Sequence, residues 1–266
     1  MDDRLGSMSE QSSREEKIRV ALIQSETREE FDSRRLATMA SLLDGTRGAD
    51  LVLLPELWRV GYSDFGAYVT KAETIDGETV SLVREKARDL KAFVLGGTIV
   101  EEEDGKLYNT AILVDRRGEL LTAYRKIHLL DYRSRERTLL CPGDAVKVVP
   151  TEFGVLGLAI CYDLRFPELF RTLAERGAQI VLVPSAWPAR RLEAWDALSR
   201  ARAVENQGYL LACDGAGNGL LGRSRVVDPW GVIVASLGER PGVLHAELDL
   251  GALRRYREEF SAWRER

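Results

Sequence analysis

The sequence predicts an α/β protein built as a four-layer α-β-β-α sandwich. Two observations carry that expectation: strands and helices alternate along most of the chain, and the alternation is written twice. Gly48-Ala49-Asp50-Leu51-Val52-Leu53-Leu54-Pro55 recurs as Gly177-Ala178-Gln179-Ile180-Val181-Leu182-Val183-Pro184. Val114-Asp115-Arg116-Arg117-Gly118 recurs as Val227-Asp228-Pro229-Trp230-Gly231, again ahead of an apolar strand. Two matches in the same order imply an internal pseudo-two-fold repeat, each half covering one face of its sheet with helices and packing the other against its partner's sheet. Residues 17–266 are expected to form a single domain, and residues 1–16 a disordered leader or cloning remnant, with Gly6-Ser7 just ahead of a candidate native start at Met8.

Residues 18–24 read as a buried strand, and the spacing of Leu36, Met39, Leu42 and Leu43 predicts a helix over 30–45. The continuous apolar run at 50–55 fits a strand covered on both faces. A helix over 78–90 follows, then strands at 93–98, 108–115 and 120–124, with Gly118 turning the chain between the last two. After Pro142-Gly143-Asp144 the order restarts. A strand at 155–160 precedes a helix over 167–176, with Pro167 suited to its first turn; a strand at 180–183 and a helix over 192–206 come next. Strands at 209–213, 225–228, 232–236 and 243–248 lead into a C-terminal helix and tail.

Composition narrows the function. The 266 residues hold 38 Lys+Arg against 42 Asp+Glu, a net charge of −4, which lacks the concentrated basic field of a nucleic-acid surface. A hydrophobic share of 45% is that of a globular chain and too high for a disordered one. The longest uncharged run, 177–189, is too short for a membrane span and is interrupted by Gln179, Pro184, Ser185 and Pro188. No apolar core marks the first 17 residues as a secretory signal. Cys141, Cys161 and Cys213 show no CxxC spacing, and two histidines, His128 and His245, cannot make a His-rich zinc site. A reduced, cytoplasmic protein without metal, cofactor, nucleic-acid or membrane partner is expected.

In parallel sheets reactive groups gather beyond the carboxyl ends of strands. Glu56 ends one apolar run, Lys126 follows the hairpin strand, and Cys161 ends Leu158-Ala159-Ile160. Taken singly, each has an ordinary reading: a small core cysteine, a solvated acid, a lysine on a charged rim. Taken together they form a complete set. An ammonium lowers a thiol's pKa, and a carboxylate takes the thiol proton and returns it to a leaving group, with no histidine required. His128, two residues past Lys126, is read as structural. Gly217-Asn218-Gly219-Leu220-Leu221-Gly222 fits a dinucleotide fingerprint in letters but leads into a strand, so it is expected to be a flexible loop.

Leu54-Pro55-Glu56-Leu57-Trp58, Tyr124-Arg125-Lys126-Ile127-His128-Leu129 and Ile160-Cys161-Tyr162-Asp163-Leu164-Arg165-Phe166-Pro167-Glu168 resemble, in order, the three signature blocks of the nitrilase superfamily of carbon-nitrogen hydrolases. The resemblance runs from about residue 17 to near the C-terminus. It implies the same four-layer fold, Glu56 as general base, Lys126 as stabiliser and Cys161 as nucleophile. It also implies a catalytic-site place for Glu136, ahead of the Pro142-Gly143 turn, and an oxyanion contact from the Tyr162 N–H. The segment from Pro184 through Trp187 to Gln207 is similar to the ω-amidase-like branch, which hydrolyses terminal amides of small 2-oxo acids. Trp187 then lies either at the substrate or in core or interface packing, and Arg165 pairs either with a substrate carboxylate or with Glu168 or another acid. Cys213-Asp214-Gly215-Ala216-Gly217-Asn218-Gly219 departs from the Asn-Arg type segment common in that branch, so another short aliphatic amide stays open.

The implied reaction is hydrolysis of a small amide to an acid and ammonia through a Cys thioester. A nitrilase or N-carbamoyl amidohydrolase on the same triad is the alternative enzyme, and a non-catalytic scaffold the alternative from another class. The resemblance also implies a homodimer or a larger homo-oligomer.

Overall fold

The computed structural model describes residues 16–27 and 34–265. In chain order its first half holds β1 (Lys17–Gln24), α1 (Arg35–Asp44), β2 (Leu51–Leu53), α2 (Phe65–Thr70), α3 (Glu78–Leu90), β3 (Phe93–Glu103), β4 (Lys106–Val114), β5 (Leu120–Arg125) and the short α4 (Glu136–Leu139). Its second half holds β6 (Val148–Thr151), β7 (Gly154–Leu158), a 3-10 turn at Cys161–Arg165, α5 (Pro167–Glu175), β8 (Ile180–Ser185), α6 (Leu192–Asn206) and β9 (Tyr209–Asp214). The small strands β10 (Ala216–Gly217), β11 (Leu220–Leu221), β12 (Arg225–Val227) and β13 (Ile233–Ser236) precede β14 (Gly242–Asp249) and α7 (Leu250–Glu259).

Two mixed six-stranded sheets result, in the orders β14-β1-β2-β3-β4-β5 and β13-β12-β9-β8-β7-β6. Each has a parallel trio at its heart, β1-β2-β3 in one and β7-β8-β9 in the other, and antiparallel strands outside. Alternation along the first sheet sorts its side chains to two faces. Ala21, Ile23, Val52, Leu54, Val94 and Ile112 meet Met39 and Leu43 of α1 and Val80, Val83 and Ala87 of α3. Val20, Leu22, Leu51, Leu53, Leu95 and Leu113 point the other way, into one core with Leu158, Leu182 and Leu211 of the second sheet. That core continues to Leu169, Phe170 and Leu173 of α5 and to Trp195 and Ala203 of α6. Helices thus flank two facing sheets. Each large side chain so buried contributes roughly 1.5–3 kcal/mol before entropy.

The helices over 78–90 and 192–206 have the bounds their patterns predict. The start expected for the first helix, residues 30–33, and the leader over 1–15 lie outside the described residues. Several elements carry no amphipathic signal long enough to read. Helix α2 has six residues and is fixed by Asp64, whose side chain accepts from Ala67 N. Strand β6 contains Pro150, tolerated because β6 is an edge strand. The glycine-rich stretch expected to be a flexible loop is the β10–β11 hairpin instead, with Asn218 and Gly219 both at positive φ in its turn. Among the described residues no helix is long and apolar enough to cross a membrane.

Candidate active site

Glu56 leaves the first sheet just beyond β2. The register of β3 against β4 shifts between Leu95 and Thr98, and Gly97 turns there at φ +69°. A Cβ on Gly97 would sit 2.1 Å from the Pro55 carbonyl oxygen, so only glycine lets the Pro55-Glu56 segment lie this close. Leu57 follows at φ +49°, its N–H donating to Thr98 Oγ1 at 2.9 Å, and Glu56 N donates to Ser185 O at 3.3 Å.

Lys126 follows β5. Its main chain is held on both sides, Lys126 N donating to Asn109 O and Lys126 O accepting from Gly143 N, each at 2.8 Å. Gly143 reaches that position because a Cβ would fall 2.2 Å from Arg125 O. The ammonium donates to Glu56 Oε1 at 2.8 Å and to Glu136 Oε1 and Oε2 at 3.0 and 3.2 Å. Asn109 Nδ2 donates to Glu56 Oε1 at 2.8 Å, and Leu130 N donates to Glu136 Oε2 at 2.7 Å. All three charged side chains are fully buried. Taking such ions out of water costs several kcal/mol each, and removing one partner from such a pair typically costs about 3–5 kcal/mol.

Cys161 opens the 3-10 turn after β7 at φ +44°, a strained angle for a residue with a Cβ. Asp163 holds the turn. Its carboxylate accepts from Ile160 N (2.9 Å), Tyr124 Oη (2.8 Å) and His128 N (3.1 Å), and meets His128 Nδ1 at 2.7 Å. His128 also stacks on Phe166 with ring centroids 3.7 Å apart, so it braces the turn from outside.

The three elements converge on a small pocket lined by Lys126, Cys161, Tyr162, Arg165, Trp187 and Tyr62 among others. Trp187 both lines it and packs on Trp195, so the two readings of this residue coexist. Its loop touches Glu56 directly, Ala186 N donating to Glu56 Oε2 at 2.9 Å. Arg165 makes no ion pair with Glu168 or any other described acid; its guanidinium lies 5.1 Å over Trp187 and 6.0 Å over Tyr162. Arg191, at the same cavity, is likewise without an acidic partner among the described residues and lies over Tyr132. Asn109, Tyr62, Asp163 and Arg191 were not singled out as site residues from the sequence.

Burial pushes the Glu56 carboxyl up; Lys126 pulls it back and Glu136 adds to the rise, leaving it above the ordinary glutamate value. Burial alone would lower the Lys126 ammonium, but Glu136, Glu56 and Cys161 together hold it well above the usual lysine range. Burial and the facing Glu56 push the Cys161 thiol well up, opposed by Lys126 and the Ala186 N–H. The arrangement keeps the lysine charged, the thiol neutral at rest and a carboxyl beside it to take its proton. Among the described residues no group of three or more His, Cys, Asp or Glu is placed to hold a metal ion.

A carbon-nitrogen hydrolase family model matches residues 19–258. A 2-oxoglutaramate amidase of Paenarthrobacter nicotinovorans is 34% identical over 244 residues, covering 87% of this chain and 83% of its own. Human omega-amidase NIT2 is 37% identical over 235 residues, covering 83% and 84%. Among solved structures, Saccharomyces cerevisiae Nit3, a member of branch 10 of the nitrilase superfamily, superposes with a TM-score of 0.84 at 33% identity, covering 92% of this chain and 94% of its own. XC1258 from Xanthomonas campestris, a CN-hydrolase superfamily protein with an arsenic adduct in its active site, gives 0.86 at 30% identity, covering 93% and 96%.

Proposed function

The chain belongs to the carbon-nitrogen hydrolase family, in the amidase branch related to omega-amidase NIT2, and from that premise we propose that its substrate is a small aliphatic amide with a carboxylate at its far end, such as the ω-amide of a 2-oxo acid. The observation that carries this reading is the cavity itself: Lys126 and Cys161 line it with Glu56 buried against Lys126, and two guanidinium groups, Arg165 and Arg191, line it without acidic partners among the described residues. The substrates in the names of the two amidases above point to the same class.

In the proposed reaction Glu56 accepts the Cys161 thiol proton as the sulfur attacks the amide carbon. An ammonium has three N–H groups. Two of Lys126's face Glu56 and Glu136, which leaves the third for the developing oxyanion. The Tyr162 N–H joins it, since the first turn of a helix leaves its N–H groups without internal acceptors. Removing one such donor typically costs about 3–4 kcal/mol in the transition state. The tetrahedral species then collapses: the C–N bond breaks, Glu56 gives its proton to the departing ammonia, and a thioester remains on Cys161. Water, deprotonated by Glu56, hydrolyses the thioester, and the proton returns to the sulfur. Glu136 and Asn109 orient Lys126 and Glu56 throughout. Trp187 and Arg165 shape and charge the acyl pocket.

An ammonia-release screen over short amides, nitriles and carbamoyl compounds tests this. The expected result is a preference of about tenfold or more in kcat/KM for a carboxylate-bearing amide over a neutral amide of equal length, the effect of one charge-assisted contact. Carbon dioxide among the products, or preferred turnover of a nitrile, overturns it. Cys161→Ala is expected to fold and lose nearly all turnover, and substantial ammonia release by that variant refutes the nucleophile assignment.

The proposal includes a homodimer. Val204 and Trp230 border an open groove along α6, and Val232 and Val234 are also about half exposed. Apolar exposure of this kind commonly marks an interface. Sedimentation of the purified protein as a monomer at micromolar concentration would exclude it.

A further inference from the structure

Two buried acids, one from each sheet, grip adjacent peptide units of the same loop. Glu56 Oε2 accepts from Ala186 N at 2.9 Å, and Asp214 Oδ1 accepts from Trp187 N at 2.7 Å. Asp214 ends β9, paired in register with Ser185, and is completely buried. It has no ion-pair partner among the described residues, and its Oδ2 has no hydrogen-bond partner there. The reaction steps above do not use it. Elsewhere Trp187 O accepts from Leu221 N and Ala189 N donates to Gly219 O, both at 2.8 Å, on the β10–β11 hairpin, and the Trp187 indole N–H donates to Arg191 O at 3.0 Å within the loop. Asp214 is thus the side chain that holds the Trp187 main-chain N–H at the cavity wall, next to the Ala186 N–H held by Glu56.

We propose that Asp214 is a positioning residue for substrate selection: with Glu56 it clamps the Ala186-Trp187 peptide and so fixes the Trp187 indole as the wall that limits the length of the acyl group. The proposal deepens the substrate reading above and rests on it. Two features support it. A buried carboxyl without a countercharge is costly and is retained only against an offsetting gain. Burial also pushes the Asp214 carboxyl well above the ordinary aspartate value, against the N–H groups of Trp187 and Gly215, with Glu56 adding to the rise. An amide side chain offers the Trp187 N–H the same acceptor oxygen at nearly the same place.

Steady-state kinetics on a short and a longer primary amide, combined with hydrogen exchange of the peptide covering residues 186–191, test the clamp. Asp214→Leu keeps bulk and removes the acceptor. It is expected to raise KM for the short amide about tenfold while kcat moves less than about threefold, to narrow the discrimination between the two amides, and to speed exchange at the Trp187 amide about tenfold. Asp214→Asn retains an acceptor and recovers both readouts to within about threefold. Trp187→Leu removes the wall and leaves Asp214 in place. It reproduces the KM change without faster exchange at the main-chain amide of position 187, which Asp214 still holds, so the test survives a failure of Asp214→Leu to fold. Unchanged KM and exchange in Asp214→Leu overturn the proposal, as does unchanged KM in Trp187→Leu. A fall in kcat at constant KM also overturns it, because Asp214 then acts on Glu56 rather than on the wall. A parent protein that hydrolyses neither amide while exchange still responds to Asp214→Leu sinks the substrate reading and upholds the clamp.

Discussion

Gly48-Ala49-Asp50-Leu51-Val52-Leu53-Leu54-Pro55 and Gly177-Ala178-Gln179-Ile180-Val181-Leu182-Val183-Pro184 are nearly the same sentence, yet they end differently. The first yields a three-residue strand and throws Glu56 out of the sheet; the second yields a six-residue strand that stays paired with β9 as far as Ser185. Nothing within the two strings accounts for this. The neighbour does: β3 slips its register at Gly96-Gly97 and opens room for the chain to turn away, whereas the β8–β9 ladder runs unbroken through Ser185 opposite Asp214. A buried acid is placed by a fault in the adjacent strand. The two ends then meet, Glu56 N on Ser185 O and Glu56 Oε2 on Ala186 N.

Substitutions at these two ends break the comparison in a definite order. Glu56→Gln is expected to lower kcat/KM about a thousandfold, the worth of a positioned base, with the fold retained. In the parent enzyme the acid limb of the kcat/KM profile belongs to the same group. Because the Glu56 carboxyl is raised, its base form is lost at a pH above that at which an exposed glutamate protonates, and activity falls as pH drops through that region. Lys126 is raised, so it contributes no alkaline limb where an ordinary lysine titrates. Next comes Gly97→Ala, which forces a Cβ against Pro55 O at positive φ. A loss of about 2 kcal/mol or more in urea unfolding is expected, together with reduced turnover as Glu56 shifts. Arg165→Met should raise KM about tenfold for carboxylate-bearing amides and leave neutral amides within about twofold. The smallest effect belongs to Ser185→Ala, under about 1 kcal/mol with activity nearly unchanged, because the group touching Glu56 there is a main-chain carbonyl. A Ser185→Ala variant as damaged as Glu56→Gln would show that the two ends are not divided as described.

What the sequence disclosed follows the same division. Helix α3 was legible because its apolar face, Val80, Val83, Ala87 and Leu90, repeats over several turns, whereas the longer α6 buries Ser199, Arg202 and Asn206 beside Trp195 and Ala203. Glu56, Lys126 and Cys161 were legible because each stands just past an apolar strand in a recognisable block. Asn109 was not, because its amide reaches Glu56 only through the β4 register, and it sits in an unremarkable strand. Asp163 lies inside a quoted block, but its part in bracing the nucleophile's turn depends on acceptance from Tyr124 and His128, distant in sequence. Tyr62 and Arg191 reach the cavity from irregular segments with no periodicity to mark them. Helix α2 and strand β6 are short elements that tertiary packing stabilises and local pattern does not announce.

The pair of unneutralised guanidinium groups beside Cys161 also bears on chemical labelling. Arg165 and Arg191 line the same pocket as Cys161, and low-dielectric walls focus the field of such charges. An anionic electrophile such as iodoacetate is therefore expected to be enriched there relative to its uncharged counterpart, with added salt erasing the advantage. Cys213, sealed in the interior with its S–H on the carbonyls of Ile23 and Leu53, lies outside that pocket. Access and charge, rather than thiol acidity, would then decide between Cys161 and Cys213.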